Sequence, residues 1–122
     1  NVLVHLLTGS GRGEEAARLL ARDPEWAAPL LVLSELRNVM VGMVRRGWME
    51  PQDARDVCAD AEAVVGDRLA GVSHDAVLET ALQSQLSAYD AEFVALARRL
   101  GVPLVTTDTT ILAGARDVAV EL

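Results

Sequence analysis

The sequence predicts one α/β domain over residues 1–122, with a mainly parallel sheet between two layers of helices. Three observations predict this three-layer sandwich. Apolar residues recur at helical spacing in several segments, short apolar runs lie between those segments, and glycine or proline marks the junctions. The alternation of helices and strands favours a parallel sheet, because a crossover between parallel strands needs a connection of about a dozen residues or more.

Helices dominate the first half of the chain. Residues 2–7 form a short apolar segment that Asn1 is placed to cap, and acidic residues in the first turn favour a helix over residues 14–21. The clearest helix is predicted over residues 30–46, and Pro51 suits the first turn of the next one. Both helices carry an apolar stripe, formed by Val32, Leu36, Val39 and Met43 in the first and by Ala54, Val57, Cys58, Ala61 and Val65 in the second.

The second half alternates helices with strands. Ser73 is placed to cap a helix over residues 74–86, and another helix follows over residues 91–100. Gly101 and Pro103 end that helix. Short strands are predicted in three places: residues 26–28, 104–106 and 118–122.

Composition limits the class of protein. No apolar run approaches the roughly 20 residues that span a bilayer, and no signal peptide opens the chain, so we expect a cytoplasmic protein that does not enter the membrane. Cys58 is the only cysteine, which excludes an internal disulfide and a cysteine-based metal cage. The net charge of −7, with 18 acidic and 11 basic residues, argues against binding nucleic acid through bulk positive charge.

Three acidic residues stand where a structural role alone does not account for them. Asp108 follows the strand at 104–106, at the strand end where open α/β sheets bind ligands, although capping a short helix is a common role for such a residue. Asp90 directly precedes the helix predicted over residues 91–100, where an N-cap belongs. Glu35 lies on or beside the apolar stripe of its helix, where helix geometry points its side chain inward. It has no local positive partner, and burial of an unpaired carboxylate is costly.

A divalent cation would compensate all three carboxylates at once. Mg²⁺, with Mn²⁺ as the alternative, prefers hard oxygen ligands and needs only a few carboxylates because it keeps several waters. The two histidines, His5 and His74, have no suitably spaced histidine or cysteine partner, so a zinc site is not indicated. The sequence therefore predicts a metal site formed by Glu35, Asp90 and Asp108.

Four stretches of the chain carry a family resemblance: NVLVHLLTG at 1–9, APLLVLSELRNVM at 28–40, LSAYDAEFVALARRLGVPLVTTDTTI at 86–111 and ARDVAVEL at 115–122. Together they resemble the PIN domain family, and particularly the VapC-type ribonuclease toxins of bacterial toxin–antitoxin pairs. The resemblance matches Glu35, Asp90 and Asp108 to the second, third and fourth acidic residues of the family. It matches Thr106 to the hydroxyl that supports them.

The resemblance implies a metal-dependent endoribonuclease, with RNA as substrate, a cognate antitoxin as protein partner and a homodimeric state. Its carboxylates would hold one or two Mg²⁺ ions, which activate water and stabilise charge on the phosphate. The first catalytic aspartate of the family ends a strand shortly before the stretch that matches Asn1, so we expect a further strand upstream of residue 1.

Two alternatives stay open beside the toxin. One is a housekeeping RNA-processing nuclease with the same fold. The other is a catalytically silent PIN-like module that only binds a partner.

An acidic site also needs nearby cations to hold RNA phosphates, and the candidates for such contacts are Arg12, Arg37, Arg45 and Arg46.

Overall fold

The computed structural model describes residues 1–122 and consists of seven α-helices, a 3-10 turn at Gly66–Arg68 and four short strands. The helices are α1 (Val2–Thr8), α2 (Gly13–Arg22), α3 (Leu31–Arg45), α4 (Pro51–Val65), α5 (His74–Ser84), α6 (Ala88–Leu100) and α7 (Thr109–Gly114), and the strands are β1 (Ala28–Pro29), β2 (Leu69–Ala70), β3 (Leu104–Thr106) and β4 (Ala119–Glu121). Every strand pair is parallel. The predicted α/β class, a three-layer sandwich with parallel strands, is confirmed.

The strands form two separate sheets rather than one. In the first, β1 pairs with β2, and Ala28 lies opposite Leu69. In the second, β3 pairs with β4 from Leu104 opposite Ala119 to Thr106 opposite Glu121. Both sheets line a mostly apolar groove of about 1060 Å³, to which α1, α3 and α6 also contribute side chains. We refer to it below as the groove.

Two buried clusters hold the layers together. The larger cluster packs α1, α3 and α4 around β1, and Leu36 at its centre is 2% exposed. Truncation of such a leucine to alanine costs about 2–5 kcal/mol. The smaller cluster joins the start of α6 to α7 and is formed by Leu86, Val94, Ile111 and Ala115. The groove therefore lies beside a well-packed core rather than in a loose region.

A bidentate ion pair fixes the end of α6 to the turn that precedes β4. Nε and Nη2 of Arg98 each donate to a carboxylate oxygen of Asp117, and both distances are 2.8 Å. Hydrogen bonding from Arg98 holds the pKa of Asp117 below its usual value of 3.8. The two hydrogen bonds fix the position of the β3–β4 sheet relative to α6, the helix that carries Asp90.

Most helix predictions agree with the structure to within a few residues. Pro51 opens α4 at its first position, where the missing N–H would have had no partner within the helix. The predicted end of α5 is wrong by two residues, because Gln85 adopts a left-handed conformation with φ of 56° and stops the helix at Ser84. No helix is long and apolar enough to cross a bilayer.

The strand predictions are less accurate. The first strand comprises Ala28 and Pro29 instead of residues 26–28. The strand at Leu69–Ala70 was not predicted, because two residues carry no periodicity to detect. The strand at 104–106 is correct, and the last strand is shorter than predicted, at Ala119–Glu121.

Candidate metal centre

Hydrogen bonds to its side chain and from its backbone N–H hold Asp108 at the end of β3. Its Oδ1 accepts from the N–H groups of Thr110 (2.8 Å) and Ile111 (3.2 Å), so it caps α7 as predicted. Its own N–H donates to Oγ1 of Thr106 across 3.0 Å. Oδ2 makes no hydrogen bond, so one oxygen of the carboxylate is left for a ligand in the groove.

Thr106 is the buried support of this turn, with only 3% of its surface exposed. Its Oγ1 accepts from the N–H of Asp108 and also from the side-chain amide of Asn1, at 3.2 Å. Oδ1 of Asn1 in turn accepts from the N–H of Thr107 at 3.3 Å. Asn1 lies at the N-cap position of α1, as predicted. Its side chain makes no capping hydrogen bond to the helix and instead bonds to Thr106 and Thr107 at the end of β3.

Asp90 is not the N-cap of α6, and that prediction is wrong. The helix begins three residues earlier than predicted, at Ala88, and Ser87 is its cap. Oγ of Ser87 accepts from the N–H of Asp90 (3.1 Å) and donates to Oδ2 of Asp90 (2.7 Å), so two hydrogen bonds join the cap to the third residue of the helix. The sequence signal was the spacing Ser87-x-x-Asp90, which marks the start of a helix at the serine.

Glu35 is exposed, contrary to the expectation that it points into the core. The buried side of α3 is formed by Val32, Leu36 and Met40, whereas Val39 is 36% exposed. Glu35 and Val39 both line the groove, one helical turn apart. The carboxylate thus lies at an accessible groove wall, where the cost of burial is smaller than in the core.

The pKa of Glu35 nevertheless lies above its usual value of 4.5. Partial burial against the groove wall raises it most, and the carboxylates of Asp90 and Glu92 add to the shift. Glu35 and Asp90 therefore belong to one electrostatic neighbourhood, and Asp108 lines the same groove.

Glu92 was missed as a member of this neighbourhood. It is half-buried on α6, two positions after Asp90, and acts on the same carboxylate of Glu35. The only sequence signal for it was an acidic residue between Ala91 and Phe93, both of which lie at least partly in the interior.

The structure brings Asn1, Glu35, Asp90, Thr106 and Asp108 to the lining of one groove. No group of three or more histidine, cysteine or acidic side chains is already arranged to hold a metal ion. The donor set nonetheless fits Mg²⁺ or Mn²⁺ chemically, because all the available donors are hard carboxylate oxygens.

None of the four arginines proposed for phosphate contacts lines the groove. Arg12 is occupied by the carboxylates of Glu15 and Glu121. The guanidinium of Arg46 lies 5.2 Å from the ring centroid of Trp48, and that of Arg37 donates to Ser34. Arg68 does line the groove, but its guanidinium donates to three backbone carbonyls, those of Pro24, Trp26 and Val64.

Comparison with known proteins places these features in a family. Residues 1–116 match the PIN domain family, whose members are generally nucleases that use divalent metal ions. No curated protein shows a significant match to the chain. Because the match extends over nearly all of the 122 residues, the chain belongs to the PIN domain family.

Proposed function

We propose that this PIN domain is a metal-dependent endoribonuclease and the toxin of a type II toxin–antitoxin pair. One observation carries the nuclease proposal: Glu35, Asp90 and Asp108 come from α3, α6 and the end of β3, yet they line one groove. Carboxylates from separate elements that share a groove offer oxygen ligands of the kind that a divalent cation such as Mg²⁺ prefers. Family membership supports the same chemistry.

Each residue has a proposed role that follows from its contacts. Asp108 offers Oδ2 and Asp90 offers Oδ1, since in each case the other oxygen is engaged in a hydrogen bond. Glu35 offers both oxygens, and its pKa is raised chiefly because the carboxylate is partly buried and then because Asp90 and Glu92 lie near it. When bound, Mg²⁺ or Mn²⁺ supplies a charge that stabilises the phosphate and lowers the pKa of a water. Thr106 keeps the backbone of Asp108 in place.

The substrate is proposed to be single-stranded or looped RNA. The chain has a net charge of −7, and Arg68, the arginine of the groove lining, is engaged with backbone carbonyls. The groove therefore has little positive charge with which to bind the two phosphate backbones of a duplex. Neutralisation of the bound phosphate is then left to the cation, which makes binding as well as cleavage depend on the metal. We place the enzyme in the cytoplasm, where its RNA substrates are.

Protein partners are proposed to be a cognate antitoxin and a second copy of the chain. Several large apolar side chains are exposed and are therefore available for contacts with such partners. Leu82 is 81% exposed, Trp48 is 72% exposed and Tyr89 is 66% exposed.

A catalytically silent binding module is the second candidate. It is favoured by the lack of a preformed group of three metal-binding side chains. A housekeeping RNA-processing nuclease would share the chemistry and differ only in its biological partner.

Cleavage of a mixed RNA pool by the full-length protein tests the proposal. We expect cleavage with Mg²⁺ or Mn²⁺, loss of cleavage in EDTA and recovery when the ion is restored. Cleavage that persists in EDTA, or no cleavage with either ion, would contradict the enzyme proposal, and the second result favours the binding module. Arrest of growth on expression, relieved by the product of a small adjacent gene, distinguishes a toxin from a housekeeping enzyme.

A further inference from the structure

Ser87 and Asp90 form a closed pair at the start of α6. Two hydrogen bonds join them, one from the backbone N–H of Asp90 to Oγ of Ser87 and one from the hydroxyl of Ser87 to Oδ2 of Asp90. The second bond is 2.7 Å long, which is typical of a hydroxyl that donates to a charged carboxylate. A serine at an N-cap needs only the first bond to stabilise its helix.

The second bond has a consequence for the groove. The χ2 torsion of an aspartate, which sets the direction of its two oxygens, is broad unless a contact holds it. The hydroxyl of Ser87 fixes Oδ2 toward the exposed helix end, and this leaves Oδ1 as the oxygen without a partner. Ser87 itself is exposed and does not line the groove, whereas Asp90 does.

We propose that Ser87 is a positioning residue, whose hydroxyl sets the direction in which the Asp90 carboxylate is presented to a divalent cation in the groove. This inference rests on the proposed function, because it assigns a role in the same site. It goes further in predicting that a residue outside the groove controls the affinity for the metal.

The chain contains a matched control for the capping role. Ser73 caps α5, and its Oγ accepts from the N–H of Ala76 in the same way. The residue three positions after Ser73 is alanine, so Ser73 has no carboxylate to orient. Equivalent substitutions at 73 and 87 therefore remove the same kind of cap, but only those at 87 release a carboxylate of the groove.

The experiment compares Ser87→Gly, Ser87→Ala and Ser87→Thr with Ser73→Gly and Ser73→Ala in the full-length protein. Glycine is nearly as good an N-cap as serine, whereas alanine is a poor one, and threonine keeps the hydroxyl. Mn²⁺ affinity is measured by titration calorimetry, cleavage is measured on the RNA pool, and the melting temperature reports on folding. Calorimetry provides a readout that does not depend on activity.

We expect Ser87→Gly to keep a melting temperature close to that of the parent and to bind Mn²⁺ about 10- to 100-fold more weakly, the usual effect of removing a group that orients a metal ligand. Ser87→Ala loses affinity to the same degree and melts earlier, and Ser87→Thr matches the parent in both. Ser73→Ala lowers the melting temperature alone, and Ser73→Gly leaves both the melting temperature and the Mn²⁺ affinity close to those of the parent.

Equal Mn²⁺ affinity in the parent, Ser87→Gly and Ser87→Ala would overturn the inference while leaving the proposed nuclease intact. An equal loss of affinity in the Ser73 and Ser87 variants would also overturn it, since helix stability would then be the cause. A parent that neither binds Mn²⁺ nor cleaves RNA would overturn both proposals.

Discussion

The side-chain amide of Asn1 donates to the hydroxyl of Thr106 across 3.2 Å, although the two residues are 105 positions apart in the chain. The other side of the same amide accepts from the N–H of Thr107. The start of α1 is thereby joined to the carboxyl end of β3, directly before Asp108. Thr106 is the centre of this connection, because its single oxygen also accepts from the N–H of Asp108.

Thr106→Val tests the structural value of this hydroxyl. Valine keeps the shape of threonine but leaves the Asp108 N–H and the Asn1 amide without their acceptor, and an unpaired buried donor costs about 1–3 kcal/mol. We expect the free energy of unfolding, measured with urea, to fall by that amount. Thr106→Ser should restore most of it, and Thr109→Val, at an exposed position of α7, serves as the control. Unchanged stability in Thr106→Val would show that the hydroxyl is dispensable.

Asp90→Asn and Asp108→Asn test the proposed metal ligands. Asparagine keeps the size of the side chain and can still accept the existing hydrogen bonds, but it removes the charge that binds a cation. We expect each variant to lose more than about a hundredfold in RNA cleavage, since substitutions beyond the ligands themselves already cost 10- to 100-fold. Stability without metal should be equal or higher, because charge repulsion is relieved.

Asp75→Asn is the control for these two variants. Asp75 also lies in the first turn of a helix, α5, but does not line the groove. If Asp90→Asn cleaved RNA as fast as the parent with Mg²⁺ present, Asp90 could not be a ligand. A comparable loss in Asp75→Asn would point to helix stability instead.

Glu35→Gln tests the electrostatic state of the groove through pH. Because the pKa of Glu35 is raised in the folded chain, the folded state holds the proton more tightly than the unfolded state does. The contribution of Glu35 to stability therefore falls as the pH rises from the usual value of 4.5 through the raised value. Glutamine does not titrate, so the variant should gain stability relative to the parent over this window.

The expected gain is less than about 1 kcal/mol, because the side chain is exposed and solvent screens it. Urea unfolding in EDTA at a series of pH values between 4 and 7 measures it as the difference between the two proteins. Excess Mg²⁺ should reverse the order, since only the parent gains from binding. Profiles that run parallel throughout the window would contradict the assignment, and Glu62→Gln on the exposed face of α4 is the control.

The division of the sheet supports a fourth prediction. Both half-sheets are parallel and both line an apolar groove, so we propose that a strand from the chain upstream of Asn1 lies between β1 and β3. A protein that includes this segment should melt at least about 5 °C higher than one that starts at Asn1, because apolar burial in the groove adds stability. It should also bind less of a dye that reports exposed apolar surface. Equal melting temperatures and equal dye binding would exclude this arrangement.

The helices could be predicted from the sequence because each is long enough for its periodicity to be visible. The stripe from Val32 to Leu36 and the proline at position 51 located α3 and α4 closely. Strands of two residues, such as Leu69–Ala70, carry no comparable pattern and exist only through their parallel partner. Their prediction would need the tertiary contacts that the sequence does not display.

The location of the predicted site residues agrees with the structure better than their geometry does, and their role as metal ligands stays a prediction. The acidic residues at 35, 90 and 108 do share a groove, as expected. The prediction that Glu35 points into the core was wrong. The buried face of α3 is narrower than a count of apolar positions indicates, because it includes Leu36 and Met40 but not Val39. The contribution of Asn1 could not be predicted, since its partner lies more than 100 positions away.

The divided sheet also bears on how the chain folds. Leu104 and Ala119 pair across 15 positions, whereas Ala28 and Leu69 pair across 41. Closing the longer loop costs about 0.9 kcal/mol more in chain entropy, so β3 and β4 should meet before β1 and β2 do. Pulse-labelled amide exchange during refolding would then record protection at Val120 ahead of Ala70. The end of β3, next to Asp108, would thus form while the side of the groove that contains β1, β2 and Glu35 is still assembling.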